Sequence, residues 1–426
     1  MSDPGGIIIA APASGSGKTT VTLGLLRALH LRGIPVRSAK SGPDYIDPAF
    51  HAAATGADCV NLDGWAMSPD RIRALAACPE LLVIEGAMGL FDGAPPDGKG
   101  STADLAQILG LPAVLVIDAA RMAQSVAAIA SGFANYNKAL RVEAVILNNV
   151  GSARHEAMLR RALAPTGLQV LGAVQRQPDL SHPSRHLGLV QASERPDLMD
   201  YLGRAATLAE TALDIDGLMA LAVTAKPIPT PAHRPWAPAQ RIAVARDIAF
   251  GFAYPHLLAD WRRAGAEVRF FSPLADEPVP DADLIYLPGG YPELYAGQIA
   301  AASQFMQSLK NAAHISDIYG ECGGYMVLGH SLIDANGQSH RMAGLLDLET
   351  SFASRKLHLG YRHLHINTGP FSGNWLGHEF HYASTVRANG VPLLTAQDAE
   401  GNQLSPMGLT QARVSGSFAH LIDRAP

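Results

Sequence analysis

Cys322 lies in Gly320-Glu-Cys-Gly-Gly324, between a short apolar run and a stretch, Tyr325-Met-Val-Leu-Gly-His330, able to start a helix. Strand, Gly-x-Cys-x-Gly and helix in that order predict a nucleophile elbow. A sharp turn lifts the apical side chain into a cleft, and the glycines tolerate strained backbone and leave room for a substrate. The helix N-terminus behind the thiol is expected to favour the reactive thiolate. Such a nucleophile also needs oxyanion donors and a base. The expected strand Asp283-Leu-Ile-Tyr-Leu287 ends in Pro288-Gly-Gly-Tyr291, so the N–H of Gly290 suits an oxyanion hole together with that of Gly323. His420, in Val414-Ser-Gly-Ser-Phe-Ala-His420, ends an apparent late strand that a parallel sheet would carry towards the elbow. His381 is the competing base. A small buried cysteine beside a tight turn is the plain alternative.

A second chemical centre opens the chain. The apolar run Ile7-Ile-Ile-Ala-Ala11 feeds Pro12-Ala-Ser-Gly-Ser-Gly-Lys-Thr-Thr20, followed by helical spacing in Val21-Thr-Leu-Gly-Leu-Leu-Arg-Ala-Leu29. This is the layout of a P-loop. Backbone N–H groups of Ser14, Gly15, Ser16, Gly17 and Thr20 cradle phosphates, Lys18 reaches the terminal phosphates and the Thr19 hydroxyl takes magnesium. Pro12 stands where the strict motif has glycine. Asp44 and Asp47 follow a second strand, and Glu85 ends a third, Leu81-Leu-Val-Ile-Glu85, as a magnesium-binding acid would, with Asp92 close behind. Each acid alone could equally cap a turn. Asn148 and Asn149, at the tip of another apolar run, either read an adenine edge or close the turn before Gly151. Arg185 and His186 are cations for an acidic substrate or members of surface ion pairs.

These centres need two frameworks, and 426 residues exceed one ordinary core. Apolar runs alternate with helical patterns throughout, predicting α/β architecture with two doubly wound sheets. Five prolines between Thr224 and Gln240 mark a linker. Domains are therefore expected at 1–225 and 240–426, with a linker over 226–239. The net charge of −5 supplies no basic field for nucleic acid. Three widely spaced cysteines suggest neither zinc nor disulfides, and no apolar run is long enough to span a membrane. A cytoplasmic protein is expected, with a homodimer left open.

Taken together, the motifs resemble those of cobyrinic and hydrogenobyrinic acid a,c-diamide synthases of corrin (vitamin B12) biosynthesis, over nearly the full chain. Gly42-Pro-Asp-Tyr-Ile-Asp-Pro48 and Gly377-His-Glu-Phe-His-Tyr382 are the most specific blocks; Glu85-Gly-Ala-Met-Gly-Leu-Phe-Asp92, Arg185-His-Leu-Gly-Leu189 and Gly416-Ser-Phe-Ala-His420 agree with them. The resemblance implies a P-loop domain similar to dethiobiotin synthetase, which accounts for Pro12, fused to a class I glutamine amidotransferase-like (flavodoxin-like) domain. It implies a ligase that hydrolyses glutamine at a Cys322 and His420 dyad and amidates two substrate carboxylates through acyl phosphates. ATP is then co-substrate, with Mg2+ on Thr19, Asp47 and Glu85. Lys40, Asp44, Asp92, Arg185 and His186 would face the anionic substrate. Many class I amidotransferases carry a glutamate two residues after the histidine; that position is Ile422 here, so the third member is unassigned. Cobyric acid synthase and nickel-sirohydrochlorin a,c-diamide synthase share the plan. From another class, a nucleotide-switch protein could carry an inert amidotransferase-like domain.

Overall fold

In a computed structural model of the chain, residues 5–177, 180, 184–185, 188–223 and 235–425 are described. The chain divides into two units, residues 1–233 and 234–426. Most of the linker expected over 226–239 lies outside the described residues.

The N-terminal unit is built on β1 (Gly6–Ala10), β2 (Val36–Ser41), β3 (Val60–Leu62), β4 (Leu81–Glu85), β5 (Ala113–Asp118), β6 (Val142–Val150) and β7 (Gln169–Gln175). They form one parallel sheet in the order β3-β2-β4-β1-β5-β6-β7. Strands β1 and β4 are buried along their whole length, which is why they read as unbroken apolar runs. Because β4 and β5 flank β1, the sheet changes winding direction at the C-terminal end of β1, where open α/β sheets hold ligands. Helix α1 (Lys18–Leu31) leaves that point, and α2 (Ile46–Thr55) follows β2. A short hairpin, β8 (Ser184–Arg185) with β9 (Gly188–Leu189), comes later.

In the C-terminal unit, β10 (Arg241–Ala245), β11 (Glu267–Phe271), β12 (Leu284–Leu287), β13 (Asp317–Glu321), β14 (Ser331–Ile333), β15 (Ser339–Arg341), β16 (Leu348–Ser351), β17 (His358–Ile366), β18 (Gly373–His381), β19 (Ser384–Ala388), β20 (Leu394–Asp398), β21 (Leu409–Gln411), β22 (Val414–Ser417) and β23 (His420–Arg424) build three sheets. The main one runs β11-β10-β12-β13-β22-β21, parallel except at β21. An antiparallel sheet, β20-β17-β18-β23, carries the histidine-rich strands. The third is β15-β14-β16-β19. The main sheet accords with the expected α/β plan; the two smaller sheets were not foreseen. His420 does not end β22: it opens β23, three residues later, and pairs with His378.

Candidate active sites

The N-terminal site begins where the chain leaves β1. Gly15 and Gly17 take φ of 81° and 83°, and α1 starts at Lys18 with Gly17 as its N-cap. The Ser16 hydroxyl donates to the Ala13 carbonyl at 2.9 Å, tightening the loop, while Ser14 and Gly15 stay exposed. Asn148 Nδ2 donates to the Ser16 carbonyl at 2.9 Å and lies only 1.9 Å from where a Cβ on Gly17 would stand. Asn148 is thus a buried brace beneath the loop, with one of its amide N–H bonds engaged there. Asn149 takes φ of 56° and donates to Asp118 Oδ1 at 3.1 Å, which favours the turn-closing alternative.

Around the start of α1 the acids converge. The Thr19 hydroxyl donates to Glu85 Oε1 at 2.6 Å and lies 3.5 Å from Asp47 Oδ2. Lys40, almost fully buried, contacts Asp47 at 2.5 Å, Glu85 at 3.0 Å and Asp44 at 3.8 Å. Burial opposes its charge, but Glu85, Asp47 and Asp44 outweigh that and hold its pKa above the ordinary lysine value. Lys40 is therefore committed to these carboxylates and is not free for a substrate side chain, which corrects the sequence expectation. Lys18 donates to the Met88 carbonyl at 3.2 Å, and burial lowers its pKa.

Two other expected substrate contacts have local duties. Asp44 Oδ1 accepts from the N–H of Ile46 at 2.7 Å and of Asp47 at 3.3 Å, opening α2; burial and then Asp47 push its pKa up to about 7. Asp92 Oδ2 accepts from Gly89 N–H at 2.9 Å and closes its own turn. His186 and the side chain of Arg185 lie outside the described residues.

Sequence reasoning missed His51. Its Nε2 lies 2.7 Å from Glu85 Oε2, and Cys59 Sγ sits 3.5 Å from its Nδ1. The signal was available, since Asp47 and His51 are four apart on α2 and share a face. Burial disfavours the Glu85 carboxylate, yet Lys40, His51 and Lys18 hold its pKa well below the usual range. Among the described residues no group of three His, Cys, Asp or Glu could hold a metal. A hydroxyl and two carboxylates are instead a hard oxygen set, of the kind that holds Mg2+ together with waters and phosphate oxygens.

The C-terminal site forms at the tip of β13. Cys322 takes φ 45° and ψ −102°, wedged between β13 and the helix Gly323–Leu328. A non-glycine residue held there stores strain, as an elbow requires. Gly290 N lies 3.1 Å from the position of a Cβ on Gly323, so the two expected oxyanion donors are neighbours. Cys322 N–H donates to the Ser417 carbonyl at 2.8 Å, tying the elbow to the segment that leads to His420. The thiol differs from expectation. Burial, then Glu293, pushes its pKa up, and the Gly323 N–H only partly offsets this. A six-residue helix does not outweigh the loss of water, so the thiol is not preset as thiolate.

His420 is fully buried, and burial, then His381, pushes its pKa down to about 3. Its ring stacks on His378 at 5.0 Å, and His378 Nε2 meets the Tyr254 hydroxyl at 2.9 Å. Glu321 Oε2 lies 3.6 Å from His420 Nδ1. His381, the rival base, instead stacks on Phe418 at 4.1 Å and has its Nδ1 3.1 Å from the Ala383 carbonyl.

The pairing defines the class: a P-loop nucleotide-binding fold followed by an elbow-bearing amidotransferase fold. Residues 7–190 match the CobQ/CobB/MinD/ParA nucleotide binding domain, and 241–425 match the CobB/CobQ-like glutamine amidotransferase domain. The chain is 57% identical to hydrogenobyrinate a,c-diamide synthase of Brucella abortus, over 98% of both chains. It is 52% identical to the enzymes of that name from a Sinorhizobium species, over 99% of both, and from Rhodobacter capsulatus, over 98% of this chain and 99% of that one. The protein belongs to the hydrogenobyrinate a,c-diamide synthase family. Among the described residues no helix is long and apolar enough to cross a membrane.

Proposed function

We propose that the protein converts hydrogenobyrinic acid to its a,c-diamide with glutamine as nitrogen donor and ATP as energy source, in cobalamin biosynthesis. The observation that carries the reading is the strained Cys322 backbone beside the N–H groups of Gly290 and Gly323, in a chain whose other unit holds a P-loop. A purely binding domain has no use for a strained thiol, which speaks against the nucleotide-switch alternative.

In the C-terminal unit, the Cys322 sulfur attacks the glutamine side-chain amide as its proton passes to His420. The N–H groups of Gly290 and Gly323 hold the oxyanion; losing one such donor costs about 2.7–4 kcal/mol of barrier. The C–N bond then breaks, His420 returns the proton to the leaving ammonia, and water hydrolyses the thioester to glutamate.

In the N-terminal unit, a substrate carboxylate is too poor an electrophile for ammonia until it takes the γ-phosphoryl of ATP. Backbone N–H groups of residues 14–20 hold the phosphates, and Lys18 swings from Met88 to the transferring group. Thr19, Asp47 and Glu85 would hold Mg2+, which supplies charge neutralisation on the phosphates. His51 and Lys40 keep Glu85 ionised and oriented. Ammonia displaces phosphate from the acyl phosphate, and a second round completes the diamide. Incubation with hydrogenobyrinic acid, ATP, magnesium and glutamine, followed by mass measurement, tests the reading. Conversion of two carboxylates to amides is expected; an unchanged substrate mass would refute it.

A further inference from the structure

The register of β13 against β22 sets Glu321 opposite Ser417, beside the turn that delivers His420. Glu321 Oε2 and His420 Nδ1 are 3.6 Å apart, and both residues are only 1% exposed. Every other contact of the carboxyl group is a donor. The Tyr286 hydroxyl donates to Oε2 at 2.8 Å, and Leu421 N–H donates to Oε1 at 3.2 Å. Among the described residues His420 is its only ion-pair partner. Among the described residues no lysine or arginine pairs with this buried carboxyl group, so its ionised form is costly and His420 is the group whose charge can answer it. Its neighbour is the base, and the next residue is the nucleophile.

We propose that Glu321 is the positioning residue of the glutaminase site, supplying the third member from the position before the nucleophile. Its carboxylate accepts Nδ1–H of His420, which fixes the tautomer and leaves Nε2 as the basic nitrogen. When the sulfur lone pair forms the C–S bond, the amide π pair moves onto oxygen and the thiol proton goes to Nε2. The imidazolium so formed is stabilised by Glu321, which takes no proton itself. The resting 3.6 Å exceeds a hydrogen bond and shortens as the ring becomes charged. The inference rests on the reading of Cys322 and His420 given above.

The groups facing the pair are Tyr286 of β12, Tyr319 of β13, Cys322, and His378, Glu379 and His381 of β18. Burial pushes Glu321 up to about 8, with Tyr286 and Leu421 N–H opposing. The supporting carboxylate is therefore gained as pH rises through that value, and glutaminase turnover rises with it.

The test measures glutaminase kcat and KM of the full chain from about pH 6 to about pH 9.5, with ammonium-driven synthesis alongside. Glu321→Gln keeps an acceptor for Tyr286 but removes the charge. Turnover is expected to fall about 10²–10⁴-fold with KM for glutamine little changed, the inflection near pH 8 is lost, and ammonium-driven synthesis persists. Wild-type turnover with the inflection intact overturns the proposal. Should Glu321→Gln fail to fold, Tyr286→Phe decides: removing the donor that lowers Glu321 must move the inflection to higher pH, and an unmoved inflection overturns the assignment. Glutaminase activity surviving in Cys322→Ala would instead sink the underlying reading of the thiol, a result distinct from either.

Discussion

Lys40 Nζ lies 3.0 Å from Glu85 Oε1, the same oxygen that accepts the Thr19 hydroxyl at 2.6 Å. One atom is thus shared between a fixed cation and the hydroxyl expected to bind a divalent ion. Lys40 neutralises Asp47 and Glu85, and Mg2+ on Thr19, Asp47 and Glu85 would meet its repulsion.

Lys40→Met removes that competitor and also the principal partner of two buried carboxylates. Breaking a buried ion pair from one side costs about 3–5 kcal/mol. Thermal unfolding should show a loss of that order. Magnesium should raise the melting temperature of the variant more than that of the wild type. An equal magnesium response in both would show that Lys40 does not oppose the metal.

The two half-reactions should separate by mutation. Cys322→Ala abolishes glutamine-dependent synthesis and leaves synthesis from ammonium salts. Lys18→Ala stops both syntheses and spares glutaminase activity. Parallel assays of amide product and glutamate check this; loss of ammonium-driven synthesis in Cys322→Ala would remove the two-site scheme.

The P-loop and the elbow were legible because each is local: a strand, a few glycines and a helix within about a dozen residues define the geometry. What escaped was long range. Asn148 braces Ser16 across 132 positions, and nothing in Ala144-Val-Ile-Leu-Asn-Asn149 distinguishes a brace from a base-reading amide. Lys40 read as a substrate contact because its burial depends on how β2 and β4 pair. Glu321 was visible beside Cys322, but its partner depends on the register of β13 with β22. His378 and His381 lie on a strand, β18, so the two rings do not share a helical face.

The C-terminal unit should have a stability maximum near pH 6.5. His420, pushed down to about 3, and His378, lower than an ordinary histidine because of burial and then His420, stay neutral in the native state. Below an unfolded pKa of about 6.5 the unfolded chain binds protons that the native state refuses, so stability falls on acidification. Glu321 has the opposite sign: raised to about 8, it binds its proton more tightly when folded, so stability falls as pH rises between about 4.3 and about 8. Two histidines outweigh one glutamate below pH 6.5, and the glutamate acts without them above it. Each proton is worth about 1.4 kcal/mol per pH unit. Hydrogen exchange of β13 and β22 amides in the full chain measures the curve. Glu321→Gln should remove the alkaline decline and His378→Gln should shallow the acidic one; unchanged limbs would refute the assignment.

Gly289→Ala tests the base by sterics alone. A Cβ on Gly289 would stand 2.4 Å from His420 Cε1, and the backbone there is one an L residue can adopt, so the ring is the obstacle. One face of the ring stacks on His378 at 5.0 Å and His420 is buried, so the ring has to shift from its resting place to admit the Cβ. A displacement of about 1 Å in a catalytic group costs about 10²-fold in rate. Glutaminase turnover should fall by at least that factor while ammonium-driven synthesis continues, because the P-loop unit is untouched. The same loss in both activities would point to general unfolding, which a thermal melt separates. Full glutaminase activity in a folded Gly289→Ala would mean that the position of the His420 ring does not matter, and the search for the base would move to His381.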